Sequence, residues 1–280
     1  MRIVKSVQLM QRLAGAAPRP LVLVPTMGAL HAGHLALVKK AKRFSGRAGT
    51  TAASLFVNPT QFGPKEDFHK YPRTFKADCD LLTSARCDVV FSPNADEMYF
   101  PDRSTTVVES ELSKVMCGAS RPGHFAGVCT VVAKLFQIVR PDIAIFGQKD
   151  FQQLAILRRM ARDLNFSVRI ISHPIVREDD GLALSSRNRY LSEQERKRAT
   201  VIDSTLSGAE QKVKNGWDST RRLEDWMRKS ISKEKLAKID YVVAVDPVTL
   251  QRSDRISLPV LLAVAVFFGK TRLIDNRLIE

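Results

Sequence analysis

The sequence predicts an α/β protein: a parallel sheet with helices on both faces, followed by a smaller α+β domain. Two observations carry this. Over the first 175 residues, short apolar runs alternate with segments of helical period. That alternation is the mark of βαβ units, whose parallel strands are covered on both faces. Beyond Pro174–Asp180 the order changes to helices and then strands, the segregated pattern of an α+β unit. The division is therefore placed at 1–175 and 176–280.

The strands expected in the first part are Leu21–Val24, Ala53–Val57, Asp88–Phe91, Ile143–Phe146 and Val168–Ile171. A helix is expected over Leu35–Lys42. Another follows from Val128, Val131, Val132, Leu135, Phe136 and Val139, which share one helical face, and a third from Leu154, Leu157, Ala161 and Leu164. In the second part a charged helix starts near Ser192 and another covers Ser219–Lys229. Strands are expected at Asp240–Val245, Val260–Phe268 and Arg272–Ile274. The run Leu258–Phe268 contains a proline and is far shorter than the ~20 residues of a membrane span. It reads as a buried strand pair, or a strand and turn. No internal repeat or low-complexity tract is present.

With 280 residues, 44% hydrophobic and 26% charged, the chain has the composition of a soluble globular protein. Cys79, Cys87, Cys117 and Cys129 form no C-x-x-C and lack a histidine at metal spacing. They read as reduced, buried thiols, which points to the cytoplasm. Met1–Lys5 leads into no apolar core of a signal peptide. The net charge is +15, and it is uneven. Residues 1–175 carry 24 basic and 13 acidic side chains (+11), and the rest carry 20 and 16 (+4). Such a field attracts a polyanion. Dispersed basic residues, 7% aromatic content and the lack of a nucleic-acid motif argue against nucleic acid as that polyanion.

Ligands of parallel α/β sheets lie at the carboxyl ends of the strands. After the first strand comes Pro25-Thr26-Met27-Gly28-Ala29-Leu30-His31-Ala32-Gly33-His34. A helix starting there offers free N–H groups and a positive dipole end, which suit a phosphate. Gly28 and Gly33 allow a close backbone approach, and His31 and His34 share one side of the first turn. Gly28 to Gly33 has Walker A spacing, but His34-Leu35 stands where that loop needs Lys-Ser/Thr, and no G-x-G-x-x-G is present. Other strand ends carry Asn58–Phe62, Gly147–Asp150 and Ser172–Pro174. Lys149 is a candidate phosphate ligand. Asp150 is either a helix cap or a ribose ligand. Ser185-Ser186-Arg187 combines two hydroxyls with a guanidinium able to grip a phosphate twice. Gln61 and Gln153 suit a hydroxylated acid. Asp78 and Asp80, near a helix start, are candidates for Mg²⁺ or are merely N-terminal helix acids.

A histidine-rich turn paired with a second donor loop resembles class I aminoacyl-tRNA synthetases and related nucleotidyltransferases. That likeness implies a Rossmann-like nucleotide-binding domain of the H-x-G-H nucleotidyltransferase type. More specifically, the chain resembles the pantothenate synthetase (pantoate–β-alanine ligase) family. The resemblance rests on Pro25–His34, Phe56–Phe62 (FVNPTQF), Tyr71–Thr74 (YPRT), Arg121–Val132 (RPGHFAGVCTVV), Phe146–Leu154 (FGQKDFQQL), Val176–Leu191 (VREDDGLALSSRNRYL) and Thr271–Asn276 (TRLIDN). These run over nearly the whole chain in the family's order. Ala126 and Gln148 depart from the usual residues, and the stretch beyond Leu191 is divergent.

The resemblance implies that pantoate attacks ATP to give pantoyl adenylate and pyrophosphate, and that β-alanine then displaces AMP. It implies catalytic roles for His31, His34, Lys149, Ser185, Ser186 and Arg187. ATP would meet these together with Met27, Gly28, Gly147, Asp150 and Val176. Pantoate would meet Pro25, Met27, Gln61 and Gln153. Asn58, Tyr71 and Arg121 would lie near the second substrate or a gate, and Asp78 would hold Mg²⁺. The smaller domain would act as a lid, and the enzyme would be a homodimer with no nucleic-acid or membrane partner.

Overall fold

A computed structural model describes residues 1–64, 66 and 68–280. Its first part runs β1 (Arg2–Val4), α1 (Val7–Ala16), β2 (Leu21–Thr26), α2 (Ala32–Ser45), β3 (Thr50–Leu55), α3 (Phe75–Ser84), β4 (Val89–Phe91), α4 (Ala95–Met98), α5 (Cys117–Ser120), α6 (His124–Val139), β5 (Ile143–Gly147), α7 (Phe151–Asp163) and β6 (Arg169–His173). The strands pair in the order β1-β4-β3-β2-β5-β6, all parallel. Leaving aside β1, the chain winds outward from β2 to one side and then from β5 to the other. The order therefore reverses between β2 and β5, and the carboxyl ends of these two neighbours open a crevice. All five expected strands are present. β1 has no counterpart among the expected strands, because three residues are too few to show a period.

The second part comprises α8 (Glu193–Arg198), α9 (Val201–Lys214), α10 (Thr220–Ser232), β7 (Ala237–Val245), β8 (Val260–Phe268) and β9 (Thr271–Ile279). The three strands form an antiparallel sheet with β8 central. Of the two readings of Leu258–Phe268, the strand and turn holds and the strand pair does not: Leu258-Pro259 form a bend before the single strand Val260–Phe268. Its uniform apolarity has a physical cause. Side chains alternate across a strand, and here both faces are covered. Val260, Leu262, Val264, Val266 and Phe268 pack with Ile202, Leu206, Leu223 and Met227 of α9 and α10. Leu261 and Ala263 pack instead with Phe125, Phe151 and the core of the parallel sheet. The helix expected from Ser192 is broken at Ala199–Thr200 into α8 and α9. β9 outruns the expected Arg272–Ile274, because Asp275 and Asn276 interrupt its apolar pattern and are nevertheless buried.

Two-sided burial of β8 has a direct consequence. Leu261→Ala and Leu262→Ala should each destabilise the protein by about 2–5 kcal/mol, although they point to opposite faces. Denaturant unfolding measures this, and a neutral Leu261→Ala would contradict the contact between the two sheets.

Candidate active site

Where β2 ends, the chain turns through Met27–Leu30 before α2 begins. Gly28 (φ 83°) and Ala29 (φ 50°) are left-handed there. Asp78 of α3 reaches across to hold this bend. Its Oδ2 accepts the Ala29 N–H at 3.0 Å and its Oδ1 accepts the Leu30 N–H at 2.8 Å. Thr74 Oγ1 donates to Oδ2 at 3.1 Å. A Cβ on Gly28 would stand 3.0 Å from the same oxygen. The expected Mg²⁺ role of Asp78 does not fit this geometry. The residue is 3% exposed, both carboxylate oxygens face backbone amides, and Asp80 lies exposed on α3. Among the described residues no group of three His, Cys, Asp or Glu side chains converges as metal ligands would. Asp78 shapes the loop instead.

That loop delivers two histidines. His31 caps α2, and its Nδ1 accepts the Gly33 N–H at 3.2 Å. His34 Nδ1 accepts the His31 N–H at 3.3 Å. A Cβ on Gly33 would lie 2.9 Å from the His31 ring, so only glycine permits this packing. With both Nδ1 atoms accepting, the hydrogen-bond network assigns each proton to Nε2. The rings, 4.1 Å apart, thus offer two N–H donors to the cleft they line. Burial, helped by Lys149 and Arg189, lowers the His31 pKa to about 4. Burial, then His31 and Lys149, lowers that of His34 to about 3. Histidines at a phosphate site can carry positive charge. In the fold these two are neutral at pH 7, and the fixed positive charge comes from Lys149 and Arg187.

β5 ends beside β2 at Gly147, and a short 3₁₀ turn, Gln148–Asp150, precedes α7. Gly147, Lys149, Asp150 and Gln153 line the same cleft as the histidines. Asp150 occupies the cap position of α7, but its side chain makes no capping hydrogen bond. Its carboxylate lies 3.7 Å from Lys149 Nζ; of the two roles expected for Asp150, helix cap or ribose ligand, the side-chain cap is not formed.

The third wall comes from the chain after β6. Val176 to Leu184 forms a tight hairpin, with Leu184 N–H bonded to Val176 O and Glu178 N–H to Leu182 O, both at 2.9 Å. It projects Ser185 into a 3₁₀ turn, Ser186–Tyr190, whose start is capped by Ser185 Oγ accepting the Arg187 N–H at 3.2 Å. Val176, Ser185, Ser186 and Arg187 line the same cleft as His31, His34 and Lys149.

A further 3₁₀ turn, Pro59–Gln61, follows β3 and brings Gln61 to the cleft. Asn58, 1% exposed, donates from Nδ2 to Gln61 Oε1 and to Gly127 O, each at 3.1 Å. Its Oδ1 accepts the Tyr99 hydroxyl at 2.7 Å. Asn58 therefore fixes the rotation of the Gln61 amide, whose Nε2 sits 3.0 Å from Met27 Sδ. The backbone carbonyl of Gln61 is bound by His124 Nδ1 at 2.8 Å, and Arg121 reaches His124 Nε2 at 3.0 Å. Arg121 also makes a two-point ion pair with Glu66, both bonds 2.6 Å. Burial, then Arg121, lowers the His124 pKa to about 4.

Of the site residues expected from sequence, Gly28, Asp78 and Arg121 lie outside the cleft lining, whereas Pro25, Met27, Asn58, Gln61 and Tyr71 belong to it. The apolar walls are new. Val128, Val131, Val132 and Leu135 of α6, read from sequence only as members of one helical face, line the cleft with Phe56. One signal was available: α6 is apolar around most of its circumference, so one packing face could not account for it. The cleft opens to solvent and spans about 1300 Å³, that opening included.

A parallel sheet with its crevice at the strand-order reversal, lined by helix-start donors, a lysine and a serine–arginine turn, defines an α/β enzyme of the nucleotide-binding class. Within that class, the family model described as "Pantoate-beta-alanine ligase" matches residues 2–278, and the chain belongs to this family. It is 50% identical to a pantothenate synthetase of Fervidobacterium nodosum and 49% identical to one of Thermotoga neapolitana, each over the full length of both chains. Its fold is similar to a solved pantothenate synthetase of Thermus thermophilus (TM-score 0.93, 44% identity, 99% of each chain). It is also similar to a Francisella tularensis pantoate-beta-alanine ligase solved with "Beta-gamma ATP" and beta-alanine (TM-score 0.81, 31% identity, 99% and 97% covered).

Two outcomes follow from this geometry. Asp78→Asn should lower turnover by up to about 100-fold through misplacement of the histidine loop, with the Mg²⁺ concentration for half-maximal rate unchanged. A large rise in that concentration would instead mark Asp78 as a metal ligand. His31 and His34, followed by imidazole NMR, should remain neutral Nε2–H tautomers at pH 7 and titrate near 4 and 3. Because these folded values lie below the ordinary 6.5, the unfolded chain binds more protons. Stability should therefore fall as pH drops from 6.5 towards 4. Titration of either ring near 6.5 would contradict the buried network.

Proposed function

We propose that this cleft condenses pantoate with β-alanine at the expense of ATP, giving pantothenate, AMP and pyrophosphate through pantoyl adenylate. The observation that carries the reading is convergence. His31, His34, Lys149, Ser185, Ser186 and Arg187 line one cleft, together with the buried Gln61. A triphosphate needs such a set of donors, and a small hydroxy acid suits the neutral amides of Gln61 and Gln153.

Pantoate's carboxylate is ionised at neutral pH and needs no general base. One of its oxygens attacks the α-phosphorus, and the bond from that phosphorus to the bridging oxygen breaks. The departing pyrophosphate takes the electron pair. Lys149 and Arg187 supply charge there, while the Nε2–H groups of His31 and His34 and the hydroxyls of Ser185 and Ser186 supply hydrogen bonds. Met27, Gly147, Asp150 and Val176 hold the nucleoside side, and Gly28 acts only through the bend that sets Met27 and the histidines. Pro25, Met27, Gln61 and Gln153 hold pantoate, whose dimethyl carbon suits the walls formed by Val131, Val132 and Phe56. In the second step the amine of β-alanine attacks the acyl carbon, AMP leaves with the bridging oxygen, and the amine loses a proton. Asn58 acts through Gln61, and Tyr71 and Arg121 border the entry of the second substrate. Mg²⁺ arrives on ATP as part of the substrate.

The adenylate must be kept from water. We assign that role to residues 176–280, with Ser185–Tyr190 as the covering turn. Division of labour at 175/176, a homodimeric state and a cytoplasmic site belong to the same proposal. Among the described residues no helix is long and apolar enough to cross a membrane, and all four cysteines are buried free thiols.

An AMP-release assay with each substrate omitted in turn tests the reading. AMP should require both pantoate and β-alanine, and AMP formed equally without pantoate would overturn it. His34→Ala and Lys149→Ala should each slow adenylation by about 100- to 1,000-fold with the fold intact by circular dichroism. Normal pyrophosphate release in both would remove them from the chemistry.

A further inference from the structure

The motif Thr271–Asn276 lies on β9, in the small sheet, and no step of the reaction above uses it. Two of its side chains nevertheless reach the two walls of the cleft. Asn276 is 3% exposed. Its Nδ2 donates to Gln148 O at 3.0 Å and to Lys149 O at 2.9 Å, bracketing the turn that presents Lys149. Asp275, also 3% exposed, projects from the opposite face of the strand. It accepts two hydrogen bonds from Arg177, at 2.6 and 2.9 Å. Arg177 in turn donates to Gly181 O at 2.9 Å, closing the hairpin from which Ser185 emerges. Asp203 holds Arg177 from a second side at 3.0 Å. Adjacent residues of one strand are thus tied to both arms of the anion clamp.

We infer that Asp275 and Asn276 are positioning residues that set the distance between Lys149 and the Ser185–Arg187 turn. The small sheet is then part of the frame of the active site. The inference rests on the phosphate-clamp reading given above. It follows that Asn276 acts through Lys149, and that its loss is felt when the triphosphate is attacked and not when β-alanine attacks the finished adenylate.

The test is a double-mutant cycle on pantoate-dependent ATP–pyrophosphate exchange. Asn276→Ala should lower the exchange rate about 10- to 100-fold in the wild-type background and less than about threefold in Lys149→Ala, because coupled residues are not additive. Asn276→Ser, which keeps one donor, should fall between wild type and Asn276→Ala, and serves if the alanine variant folds poorly. Single-turnover attack of β-alanine on preformed pantoyl adenylate should be unchanged in either variant. An equal fold-loss with and without Lys149, or an equal loss in both half-reactions, assigns Asn276 a general structural role and overturns the inference. Wild-type protein that catalyses no pantoate-dependent exchange would overturn the functional reading, and this inference with it.

Discussion

The buried carboxylate of Asp78 imposes the constraint on which the site depends. A chain leaving β2 must bend sharply to start α2, and the bend at Gly28–Ala29 leaves two inward backbone N–H groups without helical or sheet partners. One carboxylate accepts both. An unmet buried donor costs about 1–3 kcal/mol, so this single side chain decides whether the bend is sustained. From the bend follow the cap at His31, the stacking of His34 against it and the Nε2–H tautomer of both rings. The same bend places Met27 against Gln61. The catalytic face is therefore set from behind, by a residue of α3 that does not line the cleft.

Neutral imidazoles beside fixed cations have a mechanistic consequence. Protonated rings next to Lys149 would repel both the lysine and each other. As neutral donors they add hydrogen bonds without adding charge, and the positive field is left to Lys149 and Arg187. That arrangement suits an attack in which charge moves from a carboxylate to pyrophosphate without a proton changing place.

Much of this was legible in the sequence, for identifiable reasons. The central parallel strands β2 and β5 announce themselves because burial makes them short runs of mostly apolar residues. The H-x-G-H turn is legible because Gly33 is forced by the His31 ring and Gly28 by a left-handed bend. Lys149 and Ser185–Arg187 are legible as donors at a strand end and in a loop. What sequence could not show was orientation. Asp78 reads as a metal candidate until its oxygens are found facing amides, and nothing in the sequence shows that the Asn58 amide turns Gln61. Val131 and Val132 read only as members of one helical face until the cleft is found beside them. The pair Asp275–Asn276 breaks an apolar strand for a reason that exists only in three dimensions.

The central claim is that pantoate's own oxygen bonds to the α-phosphorus within this cleft. Turnover of pantoate labelled with ¹⁸O in its carboxylate, followed by mass spectrometry of the products, tests it most directly. The account predicts AMP carrying one ¹⁸O, pantothenate retaining the other and unlabelled pyrophosphate. Label in inorganic phosphate or pyrophosphate, or AMP free of label, would contradict it.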